Sequence, residues 1–293
     1  MPLYFHTLYT EGISEEARFP RERYRKIARR LAGRPDHIRI LESPAASDAD
    51  ICMAHDPSYV HRFLSGEMDE SERRKIGLRP WTDLIIPRTR HLIGGAIAGL
   101  SDVMDKGGIA ANMAGGTHHA HYDWGSGYCV FNDLAICARI ATQRHDIGRV
   151  AIIDLDVHQG DGSATILAED PHVFTLSVHC AENFPLNKEL SDLDIAVPQG
   201  SGDDTYLEVL ESALHMVWRE GPELILFQAG VDPLAEDRLG RLALTQEGLA
   251  KRNAMVFDAV VKRALPCVVF MGGGYCKPIE PTIAALVRLF EQA

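Results

Sequence analysis

The sequence predicts an α/β fold built on one parallel sheet, and three observations point there. Short apolar runs recur along the chain, helical stretches lie between them, and each run ends in a cluster of Gly, Asp or His. Near-continuous hydrophobicity suits strands covered on both faces, as in a parallel sheet, and alternation with helices suits βαβ crossovers. With 293 residues and 46% hydrophobic content, the chain has enough apolar mass to bury a full core.

In chain order, apolar residues at spacings of three and four predict helices near 21–31 and 84–104. The second contains LIGGAIAGL, whose small residues predict close packing and whose glycines argue against a membrane helix. The charged stretch 67–75 reads as a solvated surface loop or helix. A strand at 108–113 (GIAANM) precedes a helix at 131–144, and strands follow at 150–157 (VAIIDLDV) and 173–178 (VFTLSV). A helix at 205–218, a strand at 224–229 (LILFQA), a helix at 246–263 with Thr245 as N-cap and a strand at 266–271 (PCVVFM) complete the series. No repeat, low-complexity tract or linker interrupts it, so residues 1–293 are expected to form a single domain.

A formal net charge of -11 argues against a non-specific nucleic-acid binder, which needs a basic excess. A cationic substrate or partner suits that balance better. The six cysteines are scattered without a C-x-x-C pair and read as reduced core residues. A soluble, cytoplasmic protein is expected, because the N-terminus lacks a basic leader and no stretch reaches the roughly 18 apolar residues of a membrane span.

In parallel sheets ligands collect beyond the carboxyl ends of strands, and the unusual polar clusters sit there. In DLDVH, residues two apart on a strand share a face, so Asp154, Asp156 and His158 are expected to point one way. Two carboxylates and an imidazole at a buried strand end need a positive partner, and the segment contains no Arg or Lys. A metal ion outweighs a buried salt-bridge cluster. A catalytic zinc keeps three protein ligands, so Asp156 and His158 need a third, for which Asp232 is best placed. Asp237 and Glu236 are runners-up that read better as surface or loop-fixing residues. Iron, cobalt or manganese would also accept such ligands.

His118 and His119 follow a Gly-Gly turn, and two imidazoles beside a metal suggest a general base with an electrostatic or acid partner. Asp154 and Asp161 are available to fix their tautomers, while His121 reads as structural. Tyr275, after three glycines, is placed to donate to an oxyanion. No P-loop, complete dinucleotide fingerprint, G-x-S-x-G elbow or H-E-x-x-H is present.

The segments GGTHHA, GSGYCVFND, IIDLDVHQGDG, DPLAEDRLG and GGGY occur in this order over roughly residues 110–276. Together they resemble the zinc-dependent histone deacetylases and their bacterial relatives, the acetoin-utilisation and acetylpolyamine amidohydrolase proteins. AGVDPLAEDRLGRLALTQEGLAKRN most resembles the class IV branch and compact bacterial members. The resemblance implies an arginase/deacetylase-like three-layer fold with a central eight-stranded parallel sheet.

It also implies one catalytic zinc on Asp156, His158 and Asp232, with His118 backed by Asp154, His119 backed by Asp161 as the main base, and Tyr275 stabilising the transition state. Gly127, Tyr128, Phe184 and Gly273 would line a substrate tunnel; the family usually has Phe where Tyr128 stands. Potassium would sit beside Asp154, Asp156, His158 and Ser177. A product-release arginine has Arg21 and Arg23 as its candidates. The implied activity is removal of an acetyl or other acyl group from a lysine ε-amine. Alternatives are deacetylation of acetylpolyamines, removal of long fatty chains, an arginase-like two-metal hydrolase, and an acyl-ligand-binding protein with weak catalysis.

Overall fold

The computed structural model describes residues 1–33 and 37–293. The chain begins with β1 (Pro2–Phe5), α1 (Leu8–Glu11), α2 (Glu22–Leu31) and β2 (Arg39–Glu42), then α3 (Asp48–Ile51), α4 (Pro57–Leu64), α5 (Glu70–Ile76) and α6 (Ile85–Lys106). It continues through β3 (Ile109–Asn112), α7 (Asp133–Arg144), β4 (Val150–Asp154), α8 (Asp161–Leu167), β5 (Val173–Cys180) and β6 (Leu193–Val197). The last elements are α9 (Asp203–Arg219), β7 (Leu224–Gln228), α10 (Gln246–Lys262), β8 (Cys267–Phe270) and α11 (Glu280–Gln292).

The strands pair in parallel in the order β2-β1-β3-β8-β7-β4-β5-β6, giving the eight-stranded sheet that the resemblance implies. The five apolar runs are five of its six interior strands: β4, β5, β7 and β8 are buried along their whole length, as their hydrophobicity on both faces requires. β1, β2 and β6 lie outside the apolar-run reading. β2 and β6 are the two edges and remain largely accessible, so they carry no continuous hydrophobic signal.

Register sets the site. Asn112 pairs with Phe270, Phe270 with Gln228, and Gln228 with Asp154, which also pairs with Ser177. Four strands therefore stop at one level, and the loops that follow them start in a row along the sheet's carboxyl edge.

Local chemistry accounts for the helix ends. Thr245 caps α10 by accepting from the Gly248 N–H at 3.0 Å, as expected. Asn132 caps α7 through Ala135, which starts that helix two residues later than 131. The charged stretch 67–75 resolves into α5, whose Asp69 and Glu72 form a reciprocal capping box. The small residues of α6 do pack closely: a side chain at Gly94 would run into the Pro44 carbonyl, and one at Gly95 would meet the Tyr9 and Ser43 hydroxyls. All six cysteines are free, five of them buried. No described helix is long and apolar enough to cross a membrane.

Candidate active site

The histidine-bearing loop leaves β3 through Gly115 and Gly116, both at positive φ (+84° and +72°). The start of α7 holds it from behind. Asp133 accepts the N–H groups of Gly116 (3.0 Å) and Thr117 (2.8 Å) and the Thr117 hydroxyl (2.7 Å). Asn132 donates to the Ala120 carbonyl at 3.2 Å and to Ser163 Oγ at 3.0 Å. Thus the FND segment, buried and polar, fixes the backbone from which His118 and His119 project.

β4 ends at Asp154, so Asp156 and His158 do not share a strand face with it, contrary to the alternation argument. The chain instead folds into consecutive side-chain turns beyond the strand. The Asp156 N–H donates to Asp154 Oδ1 and the His158 N–H to Asp156 Oδ1, each at 3.1 Å. This brings His158 Nδ1 to 3.0 Å from Asp156 Oδ1 and 3.3 Å from Asp232 Oδ2. Asp232 arrives from the loop after β7, where its Oδ1 accepts the Val157 N–H at 3.0 Å. One donor atom from each of Asp156, His158 and Asp232 lies within 4.8 Å of the others.

The remaining Asp156 oxygen accepts from the Gly273 N–H (2.9 Å) and Gln228 Nε2 (3.2 Å). Asp232 Oδ2, in contrast, is buried and, despite the 3.3 Å approach of His158 Nδ1, accepts no hydrogen bond of ordinary geometry. Burial and the neighbouring Asp156 charge push Asp232 up to about 7. Burial pulls on His158 in the opposite sense, yet the Asp156 hydrogen bond and the charges of Asp232 and Asp156 raise it to about 10. These groups demand positive charge between them. Two carboxylates and an imidazole nitrogen, one oxygen of them orphaned, make a donor set that fits a divalent cation.

Arg252, buried on α10, ties the two supporting loops together. Its guanidinium donates to the carbonyls of Leu155 (3.1 Å), Ala229 (3.0 Å) and Gly230 (2.6 Å), the residues just before Asp156 and Asp232.

The histidine pair has unequal surroundings. His118 Nδ1 lies 2.7 Å from Asp154 Oδ2, and its Nε2 lies 3.9 Å from Asp156. Burial opposes its charge, but those two carboxylates win and lift it to about 9. His119 Nδ1 meets Asp161 Oδ1 at 2.6 Å; here burial, reinforced by the adjacent His118 charge, prevails and lowers it to about 4. His121 braces Asp161 from the far side at 3.4 Å, bonds Thr165 and stacks on Trp124.

A cavity of about 1000 Å³ opens over these groups. Gly127 and Phe184 flank His119: a side chain at Gly127 would meet the imidazole at 2.5 Å, and the Phe184 ring packs edge-on at 5.0 Å. Tyr128 lies by Phe19 (5.2 Å) and Tyr275 (6.0 Å), while Gly273 lines the floor against the two carboxylates. The Tyr275 N–H is held by Asp237 Oδ2 at 2.5 Å, and burial raises its phenol well above the ordinary value. Asp237 also accepts from Leu239 and Gly240, a loop-fixing position, and Glu236 is exposed. Ser177 Oγ is bonded to His179 Nδ1 at 3.0 Å.

The structure separates the two arginine candidates. Arg21 pairs with Glu15 near the surface, whereas buried Arg23 donates to the Gly274 carbonyl at 3.2 Å and lies 5.7 Å from the Tyr275 ring. Sequence reasoning missed Asp133, Gln228 and Arg252. The FND segment was visible as part of a motif, but Gln228 and Arg252 stand within apolar strand and helix patterns that give a polar residue no signal.

Fold and site together define an amidohydrolase of the arginase/deacetylase-like α/β type. Residues 17–288 match the sequence model of the histone deacetylase domain, and the chain belongs to that family, whose members hydrolyse amide bonds. An uncharacterized protein from Picosynechococcus is 39% identical over 285 residues, covering 96% of this chain and 94% of its own length. Histone deacetylase 2 of Arabidopsis thaliana is 31% identical over 254 residues, covering 84% of this chain and 65% of that protein. In three dimensions, the crystal structure of acetylpolyamine aminohydrolase from Burkholderia pseudomallei shares the fold, with a TM-score of 0.82 at 21% identity, covering 100% of this chain and 98% of that one.

Proposed function

We propose that this protein is a zinc-dependent deacylase that removes an acetyl group from the ε-amine of lysine residues. The observation that carries the reading is the orphaned Asp232 oxygen, in a cluster with Asp156 and His158, beside two carboxylate-backed histidines in one cavity. Asp156, His158 and Asp232 would hold the ion, which when bound supplies a Lewis acid for the amide carbonyl and lowers the pKa of water.

The chain's own groups then divide the proton work. His119, held neutral near pH 7 with Nδ1–H directed at Asp161, offers Nε2 as the base that takes a proton from the attacking water. His118, kept protonated by Asp154 and Asp156, places a positive charge beside the developing oxyanion. The Tyr275 hydroxyl stays protonated and is the donor assigned to that oxyanion. A histidine returns the proton to the departing amine. Gly127 and Phe184 leave a slot beside His119 for the substrate's alkyl chain.

The test couples metal analysis to a substrate panel: acetyl-lysine peptides, long-chain acyl-lysine peptides and acetylpolyamines. We expect one zinc per chain, loss of activity on chelation, and fastest turnover of acetyl-lysine. Metal binding with no hydrolysis across the panel would favour an acyl-binding role. Faster acetylpolyamine turnover would replace the lysine assignment.

A further inference from the structure

The outer part of the cavity carries apolar side chains of which the hydrolytic reading uses only Phe184. Phe184, Leu186 and Leu239 line it and stand 43%, 89% and 42% exposed. Their backbones are braced. Asn183 donates to the Leu239 carbonyl at 2.6 Å and accepts the Arg241 N–H at 2.9 Å, which joins the loop after β5 to the loop after β7. Lys188 donates to the Asn183 and Pro185 carbonyls from below. A braced rim that holds leucines in water is a surface for something that covers them. Covering these residues would take a substrate whose body continues past the amine.

Charge at the mouth narrows the substrate further. Arg18, Lys75 and Arg241 line it without a carboxylate partner among the described residues, and Lys75 sits 5.3 Å over the Trp124 ring. Arg79 is paired with Glu70 at 3.2 Å. On the acidic side stand Glu16 and Glu182, and Glu182 already accepts the Gln199 N–H at 2.9 Å. The chain's net charge of -11 attracts cations at a distance. At physiological ionic strength, however, exposed charges beyond about 8 Å are largely screened, so the groups at the mouth decide. Those groups are mainly cationic, so the local charge favours acidic flanks although the total charge favours a cationic substrate.

We propose that the mouth selects acyl-lysines within polypeptide segments that carry acidic residues and an apolar residue next to the acyl-lysine. Polycationic acylated amines are disfavoured by the same groups. The proposal rests on the lysine-deacylase reading and names the substrate class of that site. The apolar neighbour packs on Phe184, Leu186 and Leu239, and the acidic residues face Arg18, Lys75 and Arg241.

The experiment compares kcat/KM for three peptides with one central acetyl-lysine and a flanking leucine, the other flanks being two acidic, two neutral or two basic residues. Acetylspermidine is run alongside, and all are measured at low and high salt. We expect the acidic peptide to exceed the neutral one by about 3- to 10-fold, the scale of two exposed charge pairs, with the difference in KM and shrinking at high salt. The basic peptide and acetylspermidine should fall below the neutral peptide. In an Arg18→Glu/Arg241→Glu double variant the acidic-to-neutral ratio should drop to one or below. Equal rates on the three peptides, or a lead for the basic peptide or acetylspermidine, overturns the proposal while leaving the deacylase reading intact. No hydrolysis of the neutral peptide overturns that reading and the proposal with it.

Discussion

Burial disfavours charge on both imidazoles; two carboxylates overcome it at His118, whereas at His119 it is reinforced by the neighbour's charge, so the pair shifts to opposite sides of neutrality. That asymmetry is why the proposed mechanism gives the role of base to His119. We expect His119→Ala to lose more in kcat than His118→Ala, read by single-variant kinetics with metal content checked in each. Tyr275→Phe removes the proposed oxyanion donor and should cost about 100- to 1000-fold in kcat while metal content is retained. Wild-type turnover in that variant would end the role assigned to Tyr275. Gly273 acts through what it lacks. A methyl group there would be driven into the Asp232 and Asp156 carboxylates, so Gly273→Ala should lose metal as well as activity, measured as zinc retained after dialysis.

Among the elements, the legible parts were those whose job leaves a compositional trace. Interior strands are buried on both faces and read as unbroken apolar runs, and Asp156 and His158 stand out because charged residues at the end of such a run are costly. The edge strand β2 (RILE) is too short and too exposed to leave that trace. The side-chain turns that carry Asp156 and His158 past the end of β4 were also invisible, because spacing alone does not tell a strand from a turn. Arg252 is the sharpest omission. On α10 it looks like one more basic residue, yet it is wholly buried and satisfies three carbonyls on the loops after β4 and β7. Replacing it with methionine leaves those carbonyls without a donor and should cost at least about 3 kcal/mol, read from urea unfolding of wild type and Arg252→Met.

The whole molecule also carries an acid sensitivity away from the cavity. His55 is buried with Nε2 accepting the Asn132 N–H at 2.8 Å and Nδ1 by the Tyr122 carbonyl at 3.2 Å; burial lowers it from 6.5 to about 4. Between those two values the unfolded chain binds a proton that the folded chain does not. Stability therefore falls as pH drops through that window and is unaffected by this group above it, by about 3 kcal/mol in full. Melting temperatures from neutral to acid pH should show a shallower decline in His55→Gln, whose amide can still accept from Asn132. An unchanged slope would remove His55 from the account.

β8 is the last strand in sequence yet sits in the middle of the sheet, between β3 and β7. Until it arrives, β2-β1-β3 and β7-β4-β5-β6 are two separate half-sheets, each with an unpaired inner edge, and the loop of His118 and His119 belongs to one while Asp156, His158 and Asp232 belong to the other. A chain emerging from the ribosome thus holds both halves of the site as strangers until residues 267–270 slide between them. The three candidate metal ligands lie in one half and can meet before β8 inserts, whereas the histidine loop joins them only afterwards, and the unpaired edges of β3 and β7 make that interval the one of greatest aggregation hazard.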